Sequence, residues 1–219
     1  FKTGDYGLRA ESNTMKKRKL FAVLPTLLTL GNAACGFGAI TFAAKVGPES
    51  AAGNELFIAA LLIFLAMLFD MLDGSAARWT NQTSDFGAQL DSLCDVISFG
   101  IAPAFLMLQF TRADHAFHSQ LTLPFADLYH PRLLWVIGVL FVVCAVLRLA
   151  RFNVETEEDD SHAFFSGLPS PAAAGTVASF PIAMHGLADF MAPDVDTTIQ
   201  SIAGWLIVAV KIALPLITL

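Results

Sequence analysis

Four aspartates in a short stretch of this chain are the residues best suited to chemistry. Asp70 and Asp73 are three residues apart, and Asp91 and Asp95 are four apart. Residues at these spacings share one face of a helix, so each pair lies together if its segment is helical. The connection between the two pairs is short and polar, which predicts antiparallel neighbouring helices. We therefore expect the four carboxylates to converge at one level.

Converging carboxylates need protons or cations. Four ionised groups repel one another in a partly dry site, and Arg78 adds only one positive charge. Oxygen ligands select hard ions such as Mg²⁺ or Mn²⁺, and two such ions bridged by carboxylates suit displacement at phosphorus. Gly74, Ala77 and Gly87 have little bulk, so a phosphate-bearing ligand or a helix can approach the backbone there. The pattern predicts a metal site that acts on phosphate.

The elements that carry these aspartates are strongly apolar. The chain is 55% hydrophobic and 15% charged, and its mean hydropathy is +0.62. A membrane-spanning helix needs about 20 mostly apolar residues. Six windows approach this length, at residues 21–44, 56–72, 90–108, 133–149, 168–184 and 202–219. The composition predicts an all-α integral membrane protein whose core is a six-helix transmembrane bundle.

The two ends of the chain differ in character. Residues 1–20 form a polar and basic segment, and residues 21–219 form the predicted membrane-embedded domain. The chain begins with Phe and stops inside an apolar stretch, so we expect it to be incomplete at its ends, and whether further helices follow Leu219 stays open. Met15, which precedes a basic cluster, is an alternative native start.

Basic residues predict the orientation of the bundle. Six of them precede the first apolar window, namely Lys2, Arg9, Lys16, Lys17, Arg18 and Lys19. By the positive-inside rule, the N-terminus and the aspartates lie on the cytoplasmic side of the cytoplasmic (inner) membrane. The net charge is −6, and the N-terminal basic cluster is explained by the orientation, so the sequence does not predict nucleic acid as a partner.

The aspartates and the small residues between them resemble the signature of the CDP-alcohol phosphotransferases. The resemblance covers every defined position of the string Asp70-x-x-Asp73-Gly74-x-x-Ala77-Arg78-x8-Gly87-x-x-x-Asp91-x-x-x-Asp95. It implies a six-helix core, usually a homodimer, with a cytoplasm-facing site for two divalent cations, Mg²⁺ or Mn²⁺. Such enzymes transfer a substituted phosphoryl group from a CDP-linked donor to an alcohol and release CMP.

The same resemblance implies roles for individual residues. The metal ligands are Asp70, Asp73, Asp91 and Asp95, and Asp95 is also the candidate general base. The residues implied to bind the CDP-linked donor are Asn32, Gly74, Ala77, Arg78 and Gly87.

Three stretches outside the signature resemble the phosphatidylserine synthase branch of this family, at residues 30–37, 148–153 and 166–174. This resemblance implies CDP-diacylglycerol and L-serine as substrates. It makes Arg148, Arg151, Asn153 and Ser170 the candidate acceptor-binding residues. The alternative role for the two arginines is to anchor a helix end at the membrane surface.

Two other functions stay open at this point. One is another CDP-alcohol phosphotransferase, such as a phosphatidylglycerophosphate or phosphatidylinositol-phosphate synthase, whose acceptor carries a phosphate and would require more basic residues. The other is a divalent-cation transporter that uses the aspartates as a pathway. Transporters often place the site near the bilayer midplane and show internal repeats. Here the carboxylates lie at predicted helix ends, and no repeat is visible in the sequence.

Overall fold

A computed structural model of the chain describes residues 5–46, 52–80, 85–112, 130–158, 168–188 and 197–218. All regular structure in these segments is helical, which confirms the predicted all-α class. The elements in chain order are α1 (Asp5–Ala44), α2 (Ala52–Thr80), α3 (Asp85–Asp95), a π-helical segment (Val96–Ile101), α4 (Ala102–Arg112), α5 (Pro131–Glu158), α6 (Ser170–Ala188) and α7 (Thr197–Ile217).

Four stretches of helix in the described segments are long and apolar enough to cross a membrane. They are Leu24–Ala44, Asn54–Ala76, Phe86–Arg112 and Pro131–Val154, and the third combines α3, the π segment and α4. Large apolar side chains such as Trp135, Val139 and Leu147 lie exposed along α5, as expected for a surface in contact with lipid. The structure supports a membrane protein, and the count of six spans stays a prediction.

The core of the bundle forms where small side chains let helices approach closely. The most extensive contact joins α1 and α2. Ala39 and Ala43 of α1 and Ala59, Ala60 and Ala66 of α2 are all buried. Small residues at helix interfaces are typical of membrane proteins. In lipid the hydrophobic effect does not drive helices together, and close packing of their backbones stabilises the association instead. This packing fixes α2, and with it Asp70 and Asp73, against α1.

Several helices extend beyond the apolar windows. The first begins at Asp5 rather than near residue 21, and α2 continues past the window's end to Thr80. The fourth predicted helix, α5, runs to Glu158 and so includes Arg148, Arg151 and Asn153. Hydropathy detects only the part of a helix that lies in lipid, whereas charged residues with good helix propensity continue the same hydrogen bonding into water.

The third membrane helix contains an irregularity that the sequence did not predict. Directly after Asp95 the chain adopts π-helical geometry, and the Ala102 N–H donates to the Ile97 carbonyl five residues earlier. Ser98, Phe99 and Gly100 of this segment are buried. A π-bulge shifts the side chains that follow it around the helix axis and is often found at functional sites. Its position places the irregularity immediately beside a predicted catalytic residue.

Gly36 allows α1 to approach this π segment. A Cβ atom added at Gly36 would lie 2.8 Å from the Cα atom of Ser98, closer than real Cβ contacts allow. Backbone atoms cannot move aside as a flexible side chain can. Glycine is therefore required here by the close approach of two backbones.

We expect Gly36→Ala to lower the free energy of unfolding by about 1–3 kcal/mol, because the added methyl group forces α1 away from Ser98. Thermal unfolding of the detergent-purified protein measures this effect. Gly186→Ala is the matched control, since no described atom lies within 4 Å of a Cβ added there. An unchanged melting temperature for Gly36→Ala would show that the two helices separate without loss.

Candidate metal centre

Three of the four aspartates converge at the junction of α2 and α3. Asp70 of α2 and Asp91 and Asp95 of α3 each offer one carboxylate oxygen, and these oxygens lie within 4.8 Å of one another. Asp95 is buried, and the other two are half-buried. The antiparallel placement predicted from the short connection therefore brings carboxylates from both pairs together.

Asp73 lies next to this trio but outside it. Its side chain is only 5% exposed, and it neighbours Thr29 of α1 and the backbone N–H of Gly74. The predicted convergence of all four carboxylates thus holds most closely for three. The fourth turns toward α1, because residues three apart on a helix diverge by about 60° around its axis.

Buried oxygen atoms without hydrogen-bond partners also mark this location. The described residues include four such side-chain atoms, and three belong here: Asp73 Oδ2, Asp91 Oδ1 and Asn32 Oδ1. The fourth is Oε2 of Glu55, near the start of α2. All three oxygens at the site are acceptors, and a buried acceptor without a donor is unfavourable. A bound cation is a partner that satisfies such oxygens.

The separations of the oxygens also fit a small divalent cation. Ligand oxygens lie about 2.1 Å from Mg²⁺, so two oxygens on one ion stand up to about 4.2 Å apart. The observed limit of 4.8 Å needs only a small side-chain adjustment. Two ionised carboxylates at this separation repel by about 3 kcal/mol at an effective dielectric constant of about 20. The donor set and its charge therefore fit divalent metal binding.

Of the predicted donor-binding residues, Gly74 and Gly87 lie among the described residues, whereas the side chains of two others do not. Gly74 has open space around it, because no described atom lies within 4 Å of a Cβ added there. Gly87 lies in the first turn of α3. Ala77 and Arg78 lie in α2, and their side chains fall outside the described residues. The open surface at Gly74 leaves room for a ligand beside Asp73 and Asp70.

Asn32 contacts the trio directly. Its side chain is completely buried, and its Nδ2 donates to Asp95 Oδ1 at 2.9 Å. Sequence reasoning placed Asn32 with the donor-binding residues and did not anticipate this bond, which joins residues far apart in the chain.

Two of the predicted acceptor residues line one cavity. A cavity of about 320 Å³ lies between the π segment, α5, the start of α6 and the end of α7. Arg148 of α5 and Ser170 of α6 face it, together with Phe99, Thr218 and several apolar side chains. None of the four aspartates lines this cavity, and its connection to them runs through Phe99, which follows Asp95 by about one helical turn. Volumes in this range suit small-molecule sites.

The other two predicted acceptor residues lie at the same end of α5. Asn153 Nδ2 donates to Ser92 Oγ at 2.9 Å, and Ser92 directly follows Asp91 in the chain. Arg151 is exposed. The bond from Asn153 attaches the end of α5 to α3 beside Asp91.

Four residues at the site were missed by sequence reasoning: Ser92, Ser98, Phe99 and Thr218. Ser98 donates to the backbone oxygen of Asn32, and Ser92 accepts from Asn153. A serine in an apolar membrane helix is the one signal that could have indicated Ser92 or Ser98, since such hydroxyls often bond across helices. Nothing in the sequence pattern distinguishes Phe99 or Thr218 from other residues of their helices.

The fold and the site define a helical membrane protein with a carboxylate cluster that can bind divalent cations and with a partly polar cavity between its helices. Comparison with protein-family models gives a match to the CDP-alcohol phosphatidyltransferase family over residues 22–213. The chain belongs to this family, which confirms the predicted resemblance.

Several curated proteins are similar to the chain. The archaetidylserine synthase of Methanothermobacter thermautotrophicus is 38% identical over 167 residues, which cover 75% of this chain and 60% of that protein. The CDP-diacylglycerol–serine O-phosphatidyltransferase of Methanocaldococcus jannaschii is 40% identical over 119 residues, or 54% of this chain and 48% of that protein. The enzyme of the same name in Bacillus subtilis is 34% identical over 150 residues, covering 68% and 70%.

The chain spans less than two thirds of the length of the first two of these relatives, 60% and 48%, and 70% of the length of the third. The names of these relatives share serine and differ in the lipid, archaetidyl in one and phosphatidyl in the others.

Proposed function

We propose that this protein is a CDP-diacylglycerol–serine O-phosphatidyltransferase of the cytoplasmic membrane, with its active site facing the cytoplasm. The observation that carries the proposal is the cluster formed by Asp70, Asp91 and Asp95. It is accompanied by a cavity that Arg148 and Ser170 line together with Phe99, which follows Asp95 by four residues in the chain. Relatives whose names include serine as the acceptor support the choice of substrate. We further propose a homodimer, as the family resemblance implies.

The aspartates would hold two divalent cations, Mg²⁺ or Mn²⁺. Bound there, the cations would neutralise the diphosphate of the donor and stabilise the charge on the departing CMP. Asp70, Asp73 and Asp91 would serve as ligands, and Asp95 as both ligand and base. The open backbone at Gly74, with Gly87, Ala77 and Arg78, would accommodate the nucleotide end of the donor.

Transfer would proceed by attack of the serine hydroxyl oxygen on the phosphorus that carries the diacylglycerol. The new bond joins this oxygen to phosphorus, and the phosphoanhydride bond to CMP breaks. The hydroxyl proton passes to the carboxylate of Asp95. A free alcohol is a weak nucleophile at neutral pH, so a base within hydrogen-bond reach of the hydroxyl accelerates the step.

The polarity of the cavity favours serine over an acceptor that carries phosphate. Among the described residues, Arg148 is the basic side chain that lines it, accompanied by the hydroxyls of Ser170 and Thr218. One guanidinium matches one carboxylate, and hydroxyls can bond an ammonium or a second hydroxyl. A phosphate dianion typically requires more than one cationic partner.

The acceptor is tested by measuring CMP release from CDP-diacylglycerol with L-serine, glycerol 3-phosphate or inositol phosphate. We expect release with serine only. Release with a phosphorylated acceptor and none with serine would contradict the proposal. Divalent-metal flux in proteoliposomes without CDP-lipid would instead identify a transporter.

We expect Arg148→Ala to raise the KM for serine by about 10- to 100-fold, since a hydrogen bond to a charged group contributes about 1.5–3 kcal/mol. The KM for CDP-diacylglycerol should change little. Steady-state kinetics with each substrate varied in turn measure both constants. Arg132→Ala is the matched control, because Arg132 is an exposed arginine at the opposite end of α5. An unchanged KM for serine in Arg148→Ala would remove this residue from the acceptor site.

A further inference from the structure

Asn32 links α1 to the catalytic helix through two hydrogen bonds. Its Nδ2 donates to Asp95 Oδ1 at 2.9 Å, and its backbone oxygen accepts from Ser98 Oγ at 2.9 Å. Both bonds are buried. Asp95 and Ser98 are three residues apart, so they lie one turn apart on the same face of their helix. Asn32 of α1 is hydrogen-bonded to both of them. The arrangement allows Asn32 little freedom to move relative to Asp95.

The packing around Asn32 makes this link rigid. Gly36 lies one turn further along α1 and brings its backbone against Ser98, where an added Cβ would stand 2.8 Å from the Ser98 Cα. Asn32 itself is completely buried. Because the backbones on both sides are held, the distance from the amide to the Asp95 carboxylate is fixed by the fold. A side chain in this position can orient its partner without touching a substrate.

The chemistry of an amide suits this role. A lysine or arginine at position 32 would neutralise Asp95 and compete with cations for its charge. An amide N–H donates a hydrogen bond to a carboxylate oxygen but adds no net charge. Asp95 can therefore be held in one orientation and still keep its affinity for a cation and for a proton.

We propose that Asn32 is a positioning residue, which holds one carboxylate oxygen of Asp95 so that the group presents a constant geometry to the bound cations and to the acceptor hydroxyl. This role rests on the proposed function of Asp95. It differs from direct binding of the nucleotide, the role that the family resemblance implied for Asn32. Through Asp95, Asn32 affects metal binding and turnover more than affinity for the CDP-lipid.

The test is a double-mutant cycle on Mn²⁺ affinity, measured by electron paramagnetic resonance with the full chain in detergent. Asn32→Leu keeps a similar volume and removes the hydrogen bond. We expect it to weaken Mn²⁺ binding by about tenfold or more, as for other residues that orient metal ligands. The Asp95→Ala variant already lacks the carboxylate that Asn32 bonds. In that variant, Asn32→Leu should weaken Mn²⁺ binding by less than about twofold.

Kinetics provide a second readout that a general structural defect would not reproduce. Asn32→Leu should lower kcat and change the KM for CDP-diacylglycerol by less than about threefold, because a positioning residue acts on the transition state. Thr41→Val is the control in the same helix, since within the described segments the Thr41 hydroxyl bonds its own helix, at the Phe37 carbonyl. If Asn32→Leu does not fold, Asn32→Ser replaces it, because the shorter side chain cannot span to Asp95.

Three results would overturn the role of Asn32. The first is an Asn32→Leu variant that binds Mn²⁺ as tightly as a wild type that binds the ion. The second is a loss of Mn²⁺ affinity on Asn32→Leu that is equally large in the Asp95→Ala background. The third is an Asn32→Leu variant with a raised KM for the CDP-lipid and a normal kcat. A wild type that binds no Mn²⁺ would overturn the metal centre itself and the role of Asn32 with it.

Discussion

Asp95→Asn should reduce turnover by about 10²- to 10⁴-fold, the range associated with loss of a general base. The substitution keeps the shape of the side chain and an oxygen that can accept from Asn32 Nδ2, the atom now 2.9 Å from Asp95 Oδ1. The amide cannot take up the proton of the serine hydroxyl. Turnover is measured as CMP release with serine and CDP-diacylglycerol at saturation.

Donor binding separates loss of the base from loss of the site. We expect Asp95→Asn to bind CDP-diacylglycerol within about threefold of wild type when serine is absent and Mg²⁺ is saturating, because Asp70, Asp73 and Asp91 remain as ligands and ground-state binding does not need the base. Glu55→Gln is the matched control, a carboxylate-to-amide change near the start of α2, at a residue that also has a buried carboxylate oxygen. Turnover of Asp95→Asn close to that of wild type would exclude this residue as the base.

Asp91→Asn should have opposite effects on stability with and without metal. Without metal, Asp91 lies within 4.8 Å of two other carboxylate oxygens. Removing its charge relieves at least part of this repulsion and should raise the free energy of unfolding by at least about 1 kcal/mol, or at least about 2–4 °C in Tm for a chain of this size. With Mg²⁺ present, the wild type gains stability from binding, and the variant, which lacks a ligand, gains much less.

The measurement is a thermal-shift series in EDTA and in increasing Mg²⁺. The expected result is a crossover: Asp91→Asn melts above wild type in EDTA and below it at high Mg²⁺. Glu55→Gln should show no dependence on Mg²⁺ beyond that of wild type. Parallel Mg²⁺ responses in wild type and Asp91→Asn would show that Asp91 does not bind the ion.

Much of the fold follows from local sequence properties. Apolar windows located α1, α2, the third membrane helix and α5, because a lipid environment demands long runs of apolar residues. The helix ends were missed at Asp5, Thr80 and Glu158, since hydropathy carries no information on helix that continues into water. The π segment was also missed, because the change of hydrogen bonding after Asp95 depends on how α1 packs against it.

The sequence by itself determined the chemistry of this protein, since the residue types and spacings of Asp70, Asp73, Asp91 and Asp95 are local and specific. Tertiary structure decided which groups meet. It grouped Asp70 with Asp91 and Asp95, and it joined Asn32 to Asp95. It also brought Arg148 and Ser170 to one cavity. Such contacts depend on the approach of distant helices, which small residues such as Gly36 permit but periodicity and spacing do not encode.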